Sequence, residues 1–157
     1  MPPHGSLTDT DMGWRQALQS LAAAAGKPDA QVVVGWPASS GMHGESGLTV
    51  AQVAAFHEFG TSRIPRRSML ADTYDQNAER YADAARKVAS GIILGRVDLR
   101  RGLDLIGVMI KGDVQRRIAA GITPPLSPVT IARKGSSQPL IDTGQMRGAL
   151  DHEVRGA

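Results

Sequence analysis

Two apolar stripes at helical spacing, one directly after the other, decide most of what this chain can become. Leu70, Tyr74, Asn77, Tyr81, Ala84, Val88 and Ile92 step by four and three along one face, and Leu99, Leu103, Ile106, Ile110, Val114 and Ile118 do the same. Gly91 and Gly95 weaken the end of the first stripe, Asp98 is placed to cap the second, and Gly121 marks its end. The spacing predicts two long helices folded back as a hairpin. An earlier helix is predicted over residues 8–25, where Trp14, Leu18, Leu21 and Ala25 share a face until Gly26 and Pro28 stop it.

The remaining apolar segments read differently. Gln31 to Trp36, QVVVGW, is β-branched and short, with Val32, Val34 and Trp36 on one face and Val33 on the other. Ala149 to Arg155 alternates too, placing Leu150, His152 and Val154 together. Strands this few need helices over one face. The predicted class is therefore α+β: a small, mostly antiparallel sheet packed with several helices, including a long helical hairpin. One domain over residues 1–157 fits the chain length. Its core is small-grained, because the 41% hydrophobic fraction includes 21 Ala and only two each of Trp, Tyr and Phe.

Shorter signals punctuate this frame. Thr49 and Gln52 form a T-x-x-Q capping box ahead of VAQVAAFHEF, and Gly60 sits where that helix needs a positive φ to stop. Ser127 as cap and Pro128 at the first helical position predict a short helix ending at Gly135, and Asp142 with Gln145 suggests one further turn. Between Pro37 and Gly47, PASSGMHGESG is small, polar and aperiodic, and is expected to be a mobile loop that orders on assembly.

The chemistry of catalysis is thin. Without Cys there is no disulfide framework, no thiolate nucleophile and no Cys-ligated metal. His57-Glu58 lacks the second His that H-E-x-x-H requires, so no metal is expected, and His57 reads as a packing residue at a helix end. Neither G-x-S-x-G nor a phosphate-cradling glycine motif occurs, and Asp142-Thr143-Gly144 has no second Asp to make a protease dyad. The expectation is a non-enzyme with no cofactor. No run approaches the roughly 20 apolar residues of a membrane span, and MPPHGSLTDTDMG does not read as a signal peptide, so a soluble, unexported protein is predicted.

Charge is unevenly spread. Residues 1–60 carry 2 basic and 5 acidic groups, residues 61–121 carry 12 and 7, and residues 122–157 carry 4 and 3. A basic middle admits contact with acidic protein or with nucleic acid. Arg63, Arg66, Arg67, Arg100, Arg101, Arg116 and Arg117 are able to neutralise phosphates, but base-stacking aromatics are nearly absent beside them. A small basic DNA-binding module, acting on the backbone alone or lining a channel through which DNA passes, is the alternative reading.

Two stretches are more specific. Val53 to Leu70, VAAFHEFGTSRIPRRSML, resembles the "HEFGT…IP.RPFL" signature of tail-component proteins from the neck of tailed bacteriophages. Pro124 to Val154, PPLSPVTIARKGSSQPLIDTGQMRGALDHEV, resembles the "PLSP.TI..KG..KPLIDTGQ" ending of the same family. Together they cover about 49 residues in the family's order. Ser68 stands where the family often has Pro, and Met69 where an aromatic often follows, which implies a less stiff turn.

The resemblance implies a structural virion protein at the head-to-tail junction, made in the bacterial host cytoplasm and assembled as a ring. Its implied partners are copies of itself and tail-terminator, tail-tube or head-closure proteins. In that reading Phe59, Arg63, Ile64, Pro65, Arg66 and Arg67 form a Pro-stiffened, charged prong that meets an acidic surface on a neighbouring subunit.

Overall fold

The computed structural model describes Gln19 and residues 22–27, 29–135, 137–140 and 144–157. The predicted first helix lies mostly outside these; residues 22–25 are helical. Strand β1 (Gln31–Gly35) pairs antiparallel with β2 (Asp151–Arg155), with Val32 opposite Val154 and Val34 opposite His152. Between them come α1 (Val50–Phe59), α2 (Ala71–Ile93), α3 (Leu99–Ala120), α4 (Pro128–Lys134) and α5 (Gln145–Gly148). Helices α2 and α3 form the predicted hairpin, and α3 also packs on both strands. The α+β class is as the sequence predicts.

The alternation read from the strands explains which face meets α3. Val32, Val34, His152 and Val154 are all half-buried, whereas Gln31, Asp151, Glu153 and Arg155 are exposed. Trp36 falls just beyond β1 and continues its face inward, donating its indole Nε1–H to the Met146 carbonyl at 2.6 Å. The buried core is Val50, Ala54, Met69, Val114, Ile118, Ile122, Met146 and Leu150. It gathers α1, the far half of α3 and the residues around α5 in one cluster, at the end of the sheet where β1 finishes and β2 begins.

Glycines let the layers close. A Cβ at Gly102 of α3 would lie 2.4 Å from the Val88 Cγ1 of α2, so the hairpin crosses there at near-backbone contact. Asp113 is buried in the same seam. It accepts the Tyr81 hydroxyl at 2.9 Å and pairs with both Arg80 and Arg116. Burial, and then the neighbouring Asp113 carboxylate, push the Tyr81 phenol up to about 12.

The first stripe is shifted at its start. Tyr74 is 57% exposed, and Thr73 is buried in its place, with its hydroxyl bonded to the Met69 carbonyl. The cause is the helix start: Leu70 is the cap residue and Met69 is already in the core, which rotates the first turn by one position. Tyr74 still stacks obliquely on Tyr81, with ring centroids 5.9 Å apart.

Local punctuation follows the residues. Thr49 and Gln52 close a full capping box on α1, Asp98 caps α3 by accepting from Arg101 N–H, and Ser127 caps α4 with Pro128 in its first turn. Thr49→Ala is expected to cost about 1 kcal/mol in urea unfolding, because one N–H of the first turn of α1 loses its acceptor. One expectation is corrected: α5 takes Gly144 as its cap, at φ 78°, rather than Asp142, which lies outside the described residues.

Residues 37–47 carry more local structure than their composition announces. A 3-10 turn spans Ala38–Ser40, and Met42 bridges Thr49 across a tight loop. Gln145 Nε2 donates to the Met42 carbonyl at 2.8 Å, tying this loop to α5.

Candidate functional site

The first of the two motif segments runs from α1 through the turn at residues 60–70 into α2. Gly60 ends α1 at φ 76°, a conformation that favours glycine, and a Cβ there would meet Arg66 N at 3.0 Å. Thr61 then folds the turn locally: its hydroxyl accepts the N–H of Arg63 at 3.2 Å and of Ile64 at 2.9 Å. Arg67 N–H returns to the His57 carbonyl at 2.7 Å, so the chain leaves α1 and comes straight back to its last turn.

That return brings Glu58 under the start of α2. Its carboxylate is buried and accepts four hydrogen bonds: the Ser68 hydroxyl at 2.7 Å and the backbone N–H groups of Met69, Leu70 and Ala71 at 2.6, 2.9 and 3.0 Å. Burial acts to raise the carboxyl's pKa. The bonds from Leu70, Ser68, Ala71 and Met69 outweigh it and hold the group below the usual glutamate range. Glu58 thus supplies from α1 the N-terminal cap that α2 lacks in its own cap residue, Leu70. Both oxygens are committed to these donors. Among the described residues no group of three His, Asp or Glu is arranged to hold a metal ion.

The six residues predicted as one prong divide. Arg66 donates to the Glu58 carbonyl and pairs with Asp72 at 3.2 Å; Asp72 is shared with Arg117 at 2.9 Å. Phe59 stands 79% exposed at the end of α1. Arg63 and Pro65 are exposed and Ile64 half-buried. Arg67 is the correction. It is 4% exposed and turns inward, where Nε donates to the Pro124 carbonyl at 2.7 Å and Nη2 to the Pro125 carbonyl at 3.0 Å. Burial alone lowers its pKa.

Those two bonds join the two motif segments, which lie more than fifty residues apart in sequence. Between them opens a cleft of about 630 Å³, walled by Ile64 and Pro65 on one side and by Leu126 and Leu140 on another. Arg63, Arg67, His43 and His57 also line it. Phe59 and Arg66 do not. Sequence reasoning missed Glu58 and Ser68. The one available signal was Ser68 itself, a hydroxyl two residues ahead of a helical run, where it accepts the N–H of Asp72 at 3.1 Å while donating to Glu58. Met69, the other departure from the family pattern, is fully buried.

No family model, no curated protein and no solved structure matches the chain.

Proposed function

We propose that the protein is a structural component of the phage head-tail junction, a neck or tail-completion protein that acts by contact, as a ring of identical subunits in the virion. The observation that supports this reading is the meeting of the two motif segments: the stretches that resemble the neck family, remote in sequence, are bonded to each other through Arg67, Pro124 and Pro125 and together wall one cleft. A shared, built surface is what a protein working through its neighbours needs. Phe59, 79% exposed beside that surface, adds an aromatic anchor of the type that dominates interfaces. Closed rings use head-to-tail contacts, and Arg63, exposed and in no ion pair among the described residues, is placed to meet an acidic surface on the next subunit.

The DNA-binding alternative is weaker. Much of the basic middle is already engaged in ion pairs within the chain, mostly at its surface, with Arg80 and Arg116 on Asp113, Arg66 and Arg117 on Asp72, Arg86 on Asp83 and Arg101 on Asp104. Phosphate contacts would have to break those pairs. Among the described residues no helix is long and apolar enough to cross a membrane.

Cryo-electron microscopy of particles from a lysogen or phage carrying this gene tests the proposal by locating the chain between portal and tail tube; its absence from finished particles would reject it. A paired variant sharpens the test. Phe59→Ser with Arg63→Ala removes two exposed side chains, so the melting temperature is expected to stay within about 2 °C of the parent. Infectious particle yield is expected to fall at least tenfold, as for loss of an interface anchor of about 1.4 kcal/mol or more.

A further inference from the structure

We propose that the cleft between the turn at residues 61–67 and the Pro124–Leu126 segment is a receptor for a carboxylate-bearing peptide, binding an acidic side chain flanked by apolar residues from a neighbouring protein. The assignment names the partner chemistry of the surface described above, and it rests on that reading for the identity of the neighbour.

The argument begins with Arg67. A guanidinium has five N–H donors and a permanent charge. Arg67 spends its donors on two backbone carbonyls, through Nε and Nη2, and none of its hydrogen bonds uses Nη1. Carbonyl oxygens offset part of the desolvation but carry no net negative charge. Among the described residues no carboxylate lies within ion-pair distance of Arg67, although the chain's other buried ionic groups are well served: Asp113 has two arginines and Glu58 four donors. A buried charge without a counter-charge is costly, and bidentate pairing with a carboxylate is the usual remedy.

The surroundings agree in sign and in shape. Arg63 lines the rim of the same cleft and makes no ion pair among the described residues. No Asp or Glu occurs among the described lining residues. Val53, Ile64, Pro65, Leu126, Leu140 and Met146 give the wall its apolar part, interrupted by the polar side chains of Ser127, Thr130 and Gln145. Such a site takes a small planar anion at depth and hydrophobic side chains beside it, which describes an acidic peptide segment. It does not describe duplex DNA, a convex rod whose phosphates are met by exposed, spread-out cations.

The experiment uses the intact chain and the blocked tripeptide acetyl-Leu-Glu-Leu-amide, with acetyl-Leu-Gln-Leu-amide, inorganic phosphate and a 20-base-pair DNA duplex as comparators. Arginine Nε–H resonances report the site. The expected result is saturable binding of the acidic peptide, with the largest shifts at Arg67 and Arg63, and affinity at least tenfold lower for the Gln peptide. Arg67→Lys keeps the charge and loses the fork, and is expected to weaken the acidic peptide about tenfold. Because that residue is buried, the exposed Arg63→Gln and the half-buried Ile64→Ser serve as second variants, each expected to weaken binding with the fold unchanged.

Equal binding of the Gln peptide, no saturable binding, shifts centred elsewhere, or displacement of the peptide by phosphate or duplex DNA at physiological salt would overturn the proposal. Failure here is separable from failure of the virion reading. The peptide titration concerns the isolated chain, whereas microscopy of particles reports where the chain resides whatever the cleft binds.

Discussion

Glu58→Ala is expected to lower the unfolding free energy by about 4 kcal/mol, because it strips four donors, two of them fully buried, of their acceptor at once. Three of those donors are the backbone N–H groups of Met69, Leu70 and Ala71, at the opening of a 23-residue helix whose own cap residue offers no side chain. No water-filled alternative exists for Met69, which sits in the core. Glu58→Gln keeps one carbonyl oxygen and is expected to lose about half as much, since its amide nitrogen then faces donors.

The pH dependence has a fixed sign. The folded carboxyl is held below its ordinary value, so its contribution is complete above about pH 5.5, where the unfolded carboxyl is also ionised. It declines as pH falls through the unfolded and then the folded pKa. The stability gap between wild type and Glu58→Gln, measured by urea unfolding at a series of pH values, is therefore expected to be widest near neutrality and to narrow below pH 4.5. A gap that is constant from pH 7 to pH 3 would show that folding leaves the carboxyl's pKa where it is in the unfolded chain.

Why Glu58 escaped sequence reading is instructive about what a sequence displays. The α2–α3 hairpin is visible because its signal is periodic and local: each apolar residue predicts the next, and Asp98 caps within its own segment. The pairing of β1 with β2 is visible for the same reason, through alternation on either side of Val33 and Glu153. Glu58 acts across a turn, on donors ten or more residues further along, and nothing in His57-Glu58-Phe59 announces a cap for another helix. Arg67 is a stronger case. Three arginines in TSRIPRRS look equivalent in sequence, but the return of Arg67 N–H to the His57 carbonyl points only this one toward Pro124 and Pro125.

The two motif segments were therefore legible as separate strings, and their junction was not. Tyr74 shows a milder version of the same limit, since a one-position rotation at the start of α2 exchanges it for Thr73 without changing the helix itself. Asp113, Gly102 and Gly107 lie off the apolar stripe of α3, and the periodic signal says nothing of them. In the fold they occupy the places where another layer comes closest.

Gly107→Ala turns that last point into a measurement. Glycine inside a helix costs about 1 kcal/mol relative to alanine, so on propensity alone the substitution stabilises. A Cβ at Gly107, however, would lie 2.3 Å from the His152 Cδ2 and 2.8 Å from the Val32 Cγ2, one contact on each strand. The imidazole has little room to yield, because its Nε2 is tied to Asp104 Oδ1 at 2.9 Å, on the preceding turn of α3 itself. The sheet must lift off the helix, and overpacking of this kind costs about 3 kcal/mol. The net expectation is a loss of about 2 kcal/mol and a melting temperature about 6 °C lower in a domain of this size.

Gly112, five residues further along α3, provides the control. A Cβ there meets only the Arg116 Nη1, at an ordinary 3.7 Å. Gly112→Ala is expected to raise stability by up to about 1 kcal/mol. The two substitutions add the same methyl to the same helix, so opposite signs isolate the sheet contact from helix propensity. A Gly107→Ala protein as stable as Gly112→Ala would mean that α3 does not carry the sheet at this distance, and the half-buried face of Val32, Val34, His152 and Val154 would need another cover.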